Sequence, residues 1–233
     1  MTGPLVPEPP RSFEKLDEKL ANWLAQFPPK SVIFSSFGSE TFLKREQIRE
    51  LALGLELVGQ PFLLVLNFPK GVDSSVELKQ ALPLDFMERT KDKGLVHVGW
   101  VPQQLILGHS SVGCYLCHAG FSSIIEALVN DCQLVLLPQK GDQFLNSRLV
   151  GENGLVKAGV EVNMRDEDAY FGKEDIFAVV KTIMVEVGKD SGRSIRLSQK
   201  KWRDFFLDND AQDKFISDLI VEMKKINCNS NHS

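Results

Sequence analysis

Residues 112–146 read "VGCYLCHAGFSSIIEALVNDCQLVLLPQKGDQFLN". An apolar run from Val112 ends on His118, a glycine turn at Gly120 and two serines, Ser122 and Ser123. A helix-spaced segment follows, and a second apolar run, "QLVLLP" at 133–138, closes on Asp142 and Gln143. Apolar strand, amphipathic stretch and apolar strand in succession form the crossover unit of a parallel sheet. In open α/β sheets ligands bind beyond the carboxyl ends of the strands, where the polar residues of this stretch fall.

The same alternation extends outward in both directions. "SVIFSSF" (31–37), "PFLLVLNF" (61–68), "LVHVGW" (95–100) and "AGVEVN" (158–163) are further strand candidates. Between the first two, "KREQIRELALGLELVG" places Ile48, Leu51, Ala52 and Leu55 at helical spacing. Alternating strands and helices predict an α/β fold, a Rossmann-like parallel sheet flanked by helices. Beyond about residue 170 the pattern turns purely helical, with helices expected over 173–187, 191–206 and 211–225. A helix is also expected over 13–27, while the Pro- and Gly-rich residues 1–12 read as a linker, leaving 13–233 as the folded domain.

Composition narrows the function classes. The chain has 233 residues, 43% of them hydrophobic, enough for a full core. Its 27 basic and 31 acidic residues leave a net charge of −4 with no dense Lys/Arg stripe, which argues against nucleic acid as the main partner. The longest apolar run, "FLLVL" at 62–66, is far short of the roughly 20 residues that span a bilayer, so no membrane association and a cytoplasmic location are expected. The four cysteines, Cys114, Cys117, Cys132 and Cys228, read as reduced thiols. The Cys114-x-x-Cys117 spacing resembles a zinc knuckle, but residues three apart on a strand point to opposite faces, so no metal is expected there.

Four loops after strands carry the chemistry: Phe37-Gly38-Ser39-Glu40, Trp100-Val101-Pro102-Gln103, the run from His118 to Ser123, and Gln139 to Gln143. A helix starting near Ser122 aims its free N–H groups and positive dipole end at the loop before it, which suits an anion such as a diphosphate. Gly120 lets the backbone approach an oxygen closely, and His118 and the serine hydroxyls add donors. A bland reading stands beside this one: Ser123-x-x-Glu126 as a capping box, Ser122 as an N-cap, and His118 as a satisfied buried histidine. Trp100 is either a packing residue or a stacking surface for a flat base. Gly38-Ser39 is equally a simple turn, and Asp142-Gln143 either starts a helix or clasps the hydroxyls of a sugar. Neither G-x-G-x-x-G nor G-x-x-x-x-G-K-[ST] occurs, which removes the best support for a dinucleotide dehydrogenase or a P-loop NTPase.

Taken together, the residues from Trp100 to Gln143 resemble the signature box of plant family 1 UDP-sugar glycosyltransferases, which runs W-x-P-Q, then H-x-G-W-N-S-x-x-E, and ends D/E-Q. The resemblance implies that Trp100 stacks on uracil, that Val101 and Gln103 make polar contacts to its edge, and that Glu126 accepts from the ribose hydroxyls. It further implies that His118 and Ser123, with Gly38 and Ser39, hold the diphosphate, and that Asp142 and Gln143 bind the donor sugar. Phe121 stands where the family carries Trp and offers only its ring and backbone amide; Ser122 replaces an Asn and is shorter. The variant "HAGFSS" with "DCQLVLLPQKGDQFLN" is similar to the branch that adds a sugar to the sugar of a flavonoid or terpenoid glycoside.

Members of that family are about twice as long and fold as two Rossmann-like halves called GT-B, with the acceptor-activating His and its Asp partner in the N-terminal half. This chain therefore resembles the C-terminal, donor-binding half, with "LVPEPP" at 5–10 resembling the interdomain stretch and the helix around Trp202 to Phe206 crossing back toward the other half. The resemblance implies a UDP-sugar donor, with Gln143 favouring UDP-glucose, a small-molecule glycoside acceptor, and no metal or further cofactor. It also implies that these residues contain no catalytic base. Two rivals stay open: a non-catalytic nucleotide-sugar-binding module, and a Rossmann domain that binds NAD.

Overall fold

The computed structural model describes residues 6, 15–165, 170–185 and 190–230. Six strands, β1 (Val32–Ser36), β2 (Phe62–Leu66), β3 (Gly94–Val98), β4 (Val112–Cys117), β5 (Gln133–Leu136) and β6 (Gly159–Glu161), form one sheet in the order β3-β2-β1-β4-β5-β6. Every neighbouring pair is parallel. The chain builds outward from β1 to β3, then returns to lay β4 on the other side of β1. The β1–β4 boundary is thus the switch point, where diverging crossovers leave a crevice above the carboxyl ends.

Alternation along the strands assigns the two faces. In β1, Ile33 joins one core cluster while Val32 and Phe34 join the other; in β4, Cys114 and Leu116 face one side, Tyr115 and Cys117 the other. The spacing of Cys114 and Cys117 therefore puts their thiols into opposite cores, and burial pushes the Cys117 thiol up to about 12. Cys114 and Cys132 are likewise buried and unpaired, and Cys228 has no described side chain.

Helix α1 (Glu18–Leu24) is shorter than the sequence implies, because the Asp17 carboxylate accepts from the N–H groups of Lys19 and Leu20 and so fixes the helix start. Residues 13 and 14 of the expected helix lie outside the described residues, as does the linker at 1–12 apart from Val6. Helix α2 (Arg45–Val58) buries Ile48, Leu51, Ala52 and Leu55, as its spacing predicts. Short helices α3 (Ser74–Ala81) and α4 (Phe86–Arg89) link β2 to β3, and α5 (Gln103–Leu107) links β3 to β4. Helix α6 (Phe121–Val129) joins β4 to β5, and α7 (Gln143–Val150) joins β5 to β6.

The C-terminal part is helical: α8 (Lys173–Val180) runs into one π-helical turn (Lys181–Val185), followed by α9 (Asp190–Leu207) and α10 (Asn209–Ser230). The segment around Trp202 to Phe206 seats aromatics on this domain. Phe206 is buried in the core cluster that also holds α6 residues, and the Trp202 indole N–H donates to the Val156 carbonyl at 3.1 Å. Among the described residues, no helix is long and apolar enough to cross a membrane.

Candidate functional site

The loops after β1 and β4 meet at the switch point, and His118 is where they touch. Its ring lies between two glycine backbones. A Cβ on Gly120 would stand 2.6 Å from His118 Nε2, and one on Gly38 would stand 3.1 Å from Cε1. Gly38 also has φ +73°, a left-handed conformation that L side chains rarely adopt. Gly120 is thus held to glycine by the imidazole, and Gly38 chiefly by its backbone conformation. The Gly38 carbonyl accepts from Asn67 Nδ2 at 2.8 Å, which ties the β1 loop to the end of β2.

His118 Nδ1 is buried without a partner at hydrogen-bond geometry. Burial holds the His118 pKa below its ordinary value; the Lys140 charge pushes the same way, while the Ser36 backbone and Asp142 pull back. The imidazole is thus neutral at pH 7.

Helix α6 begins at Phe121, earlier than Ser122, because Gly120 is extended at φ −64°, ψ 136° and serves as the N-cap. No side chain caps the helix, and no acidic residue occupies its first turn. Ser122 and Ser123 therefore sit inside the first turn instead of capping it, and the Ser123–Glu126 pair is not a capping box. The first N–H groups of α6 are left for something outside the helix. Ser122 and Phe121 are exposed at this end.

A second group of predicted residues is organised by one that sequence reasoning missed. Tyr115, buried in β4, stacks on Phe34 of β1 with ring centroids 5.0 Å apart and planes within 8°. Burial raises its phenol well above the ordinary value, so it stays a donor, and it gives its hydrogen to Gln103 Oε1 at 2.7 Å. That fixes the Gln103 amide with Nε2 donating to Glu126 Oε2 at 2.6 Å and to Ser123 Oγ at 3.2 Å. Gln103 is thus committed to Glu126, Ser123 and Tyr115. Val101 is buried in the core, which leaves only its backbone for contacts. Trp100, by contrast, is 79% exposed at the end of β3. The signal for Tyr115 was available: a buried phenol must find a partner.

The β5 loop supplies the last pair. Gln143 is buried, and its Oε1 accepts from the N–H groups of Gln139 (2.9 Å) and Lys140 (3.0 Å), closing the loop on itself. Only its Nε2 is left for a ligand. Asp142 is exposed and its Oδ2 accepts from Asn146 Nδ2 at 3.2 Å; Asn146 Nδ2 also donates to the Ala119 carbonyl at 3.2 Å and so links this loop to the β4 loop. Asn146 was not singled out in the sequence, although it stands one helical turn from Asp142. Ser39 is exposed in the β1 loop, next to Glu40, whose carbonyl accepts from Lys140 Nζ at 2.8 Å. A separate groove of about 650 Å³, lined by Phe144, Arg148, Glu161 and Arg165 among others, shares no residue with these four loops.

This arrangement, polar loops gathered over the switch point of a parallel sheet, is that of a Rossmann-like domain. The chain belongs to the UDP-glucoronosyl and UDP-glucosyl transferase family, whose profile matches residues 15–193. It is 62% identical, over 96% of its own length, to an anthocyanidin-3-O-glucoside rhamnosyltransferase of Petunia hybrida, of which it covers 46%. It is 56% identical, over 97% of its length, to UDP-glycosyltransferase 79A6 of Glycine max, of which it covers 48%. The solved structure of Phytolacca americana UGT2 with UDP-2-fluoro-glucose and pterostilbene superposes with a TM-score of 0.73 at 31% identity, over 88% of this chain and 44% of that one. The chain spans about half the length of the curated relatives it matches, and its fold matches GT-B glycosyltransferase structures.

Proposed function

We propose that this chain is the UDP-sugar-binding half of an inverting plant glycosyltransferase that adds a sugar to the sugar of a flavonoid or terpenoid glycoside. The observation that carries the reading is the uncapped start of α6 beside an imidazole wedged between Gly38 and Gly120, with an exposed Trp100 on a neighbouring loop. Uracil stacks on Trp100, the ribose hydroxyls reach Glu126, and the diphosphate meets His118, Ser123, Ser39 and the α6 amides. Phe121 and Ser122 flank the same turn, and Asp142 with the free amide of Gln143 receives the donor sugar. In the reaction an acceptor oxygen attacks the anomeric carbon, the bond from that carbon to the β-phosphate oxygen breaks, and its electron pair leaves with UDP. The acceptor proton goes to a base outside this chain. Donors preorganised toward the growing negative charge of the diphosphate supply the electrostatic part of catalysis, with no metal required. The working compartment is the cytoplasm, in keeping with three buried, unpaired thiols.

Two observations bear on the donor sugar. Gln143 favours glucose, but its carbonyl oxygen is spent on the loop, and the Petunia relative is named a rhamnosyltransferase. UDP-rhamnose is therefore a second donor reading. Calorimetric titration with UDP, UDP-glucose, UDP-rhamnose and NAD tests the proposal: UDP and at least one UDP-sugar bind, and NAD does not. Binding of NAD alone, or of none of the four, refutes it. A non-catalytic binding module makes a further contrary prediction, since the full-length parent would then release no UDP with any glycoside acceptor.

A further inference from the structure

Lys140 is the one Lys or Arg among the four loops that surround the switch point. Its backbone is pinned by Gln143 Oε1, and the following Gly141 turns the chain at φ +56°. From there the side chain reaches out to the Glu40 carbonyl at 2.8 Å. The sheet order decides what this contact crosses. Strands β1 and β5 are the two neighbours of β4, so a bond from the β5 loop to the β1 loop spans the carboxyl end of β4, where His118 stands. The Lys140 charge disfavours protonation of His118, which places the two groups within each other's field.

The partner carries no formal charge. Lys140 is exposed and holds a neutral backbone oxygen, and among the described residues no carboxylate lies within ion-pair distance of it. The other donors these loops offer, the uncapped amides of α6 and a neutral imidazole, carry no formal charge.

We infer that Lys140 is a phosphate-recognition residue, which gives up the Glu40 carbonyl for a β-phosphate oxygen when a nucleoside diphosphate enters. The inference rests on the donor-binding reading and adds the formal charge that reading lacks. Free UDP carries more negative charge on its β-phosphate than a UDP-sugar does. Lys140 therefore favours UDP over the intact donor, in the direction that helps the leaving group depart.

The test is titration of the 233-residue chain and its Lys140→Gln and Lys140→Arg variants with UDP, UDP-glucose and uridine. Loss of a charge-assisted hydrogen bond lowers UDP affinity about 10- to 100-fold. The expected loss is smaller for UDP-glucose and negligible for uridine, and Lys140→Arg recovers most of it. His118, followed by NMR, titrates at higher pH in Lys140→Gln. If the wild type binds UDP and Lys140→Gln binds it equally well, the inference falls and the donor-binding reading stands. If the wild type does not bind UDP, that reading falls first. A loss confined to UDP-glucose makes Lys140 a sugar contact, and equal losses for all three ligands make it a loop brace; either result overturns the inference. An unmoved His118 titration does the same.

Discussion

Replacing Trp100 by alanine separates binding from folding more cleanly than any other substitution in this domain. The side chain is 79% exposed, so truncation opens no cavity, and the loss of stability should stay within about 0.5 kcal/mol. If the indole stacks on uracil, its removal costs about 1–3 kcal/mol of binding, since one base-aromatic contact is worth that much. With each 1.4 kcal/mol equal to a factor of ten, UDP should bind about 5- to 150-fold more weakly. Uridine shares the base and should lose the same factor, which a contact to phosphate would not produce. Calorimetric titration of both ligands, with a thermal melt of each protein, makes the measurement. Unchanged affinity in a normally folded variant would show that the base lies elsewhere. A large fall in melting temperature would show that the exposed indole supports the fold after all.

Gly120→Ala should fold with a modest penalty of about 1–3 kcal/mol from overpacking, yet lose UDP affinity at least tenfold, because the new Cβ stands 2.6 Å from His118 Nε2 and displaces the ring; wild-type affinity with wild-type stability would refute the wedge. Asp142→Ala should weaken the UDP-sugar that proves to be the donor while leaving UDP nearly unchanged, and equal losses for both would take Asp142 off the sugar. The His118 pKa is depressed in the folded domain, so the unfolded chain binds more protons and stability contributed above pH 6.5 is lost as pH falls through the folded value. A bound diphosphate favours the imidazolium, so affinity should rise over the same descent. Melts and titrations of wild type against His118→Gln isolate both slopes, and parallel profiles would exclude His118 from the site. The chain alone should transfer no sugar, since a positioned general base is worth about 10²–10⁴-fold and none is assigned here; glycosylated product seen by mass spectrometry would place a base within these residues.

The sheet was legible because its signals are local and redundant. Val32, Ile33 and Phe34 must alternate between two cores, and six such runs separated by helical spacing leave little besides a parallel sheet. Element ends were harder. Ser122 and Ser123 resemble caps in the sequence, but the extended backbone at Gly120 starts α6 before either serine, and a hydroxyl cannot cap a helix from within its first turn. The candidate site was legible only as a set of residue types, His, Gly, Ser and Asp, placed after strand ends. Which atoms remain free was not. Gln143 spends its carbonyl on two backbone N–H groups, and Gln103 spends its amide on Glu126 and Ser123. Both outcomes depend on packing. Lys140 was hidden for a stronger reason: its partner is a backbone carbonyl 100 residues away, and a carbonyl has no signature in sequence.

On the proposed donor-binding reading, an acidic chain has to concentrate positive potential where its net charge of −4 does not prevail. The described residues do this in three graded ways. Helix α6 contributes the partial charge of its free N–H groups, and no acidic side chain in its first turn cancels it. Burial and Lys140 both favour the neutral form of His118, and a bound anion would favour the protonated one. Lys140 carries a full charge but sits on the rim against a neutral oxygen, where solvent keeps it from destabilising the fold. None of the three demands a buried, unpaired charge, which would cost several kcal/mol. On the donor-binding reading, these groups attract most strongly the ligand state with the most negative phosphate, which is UDP after the sugar has gone.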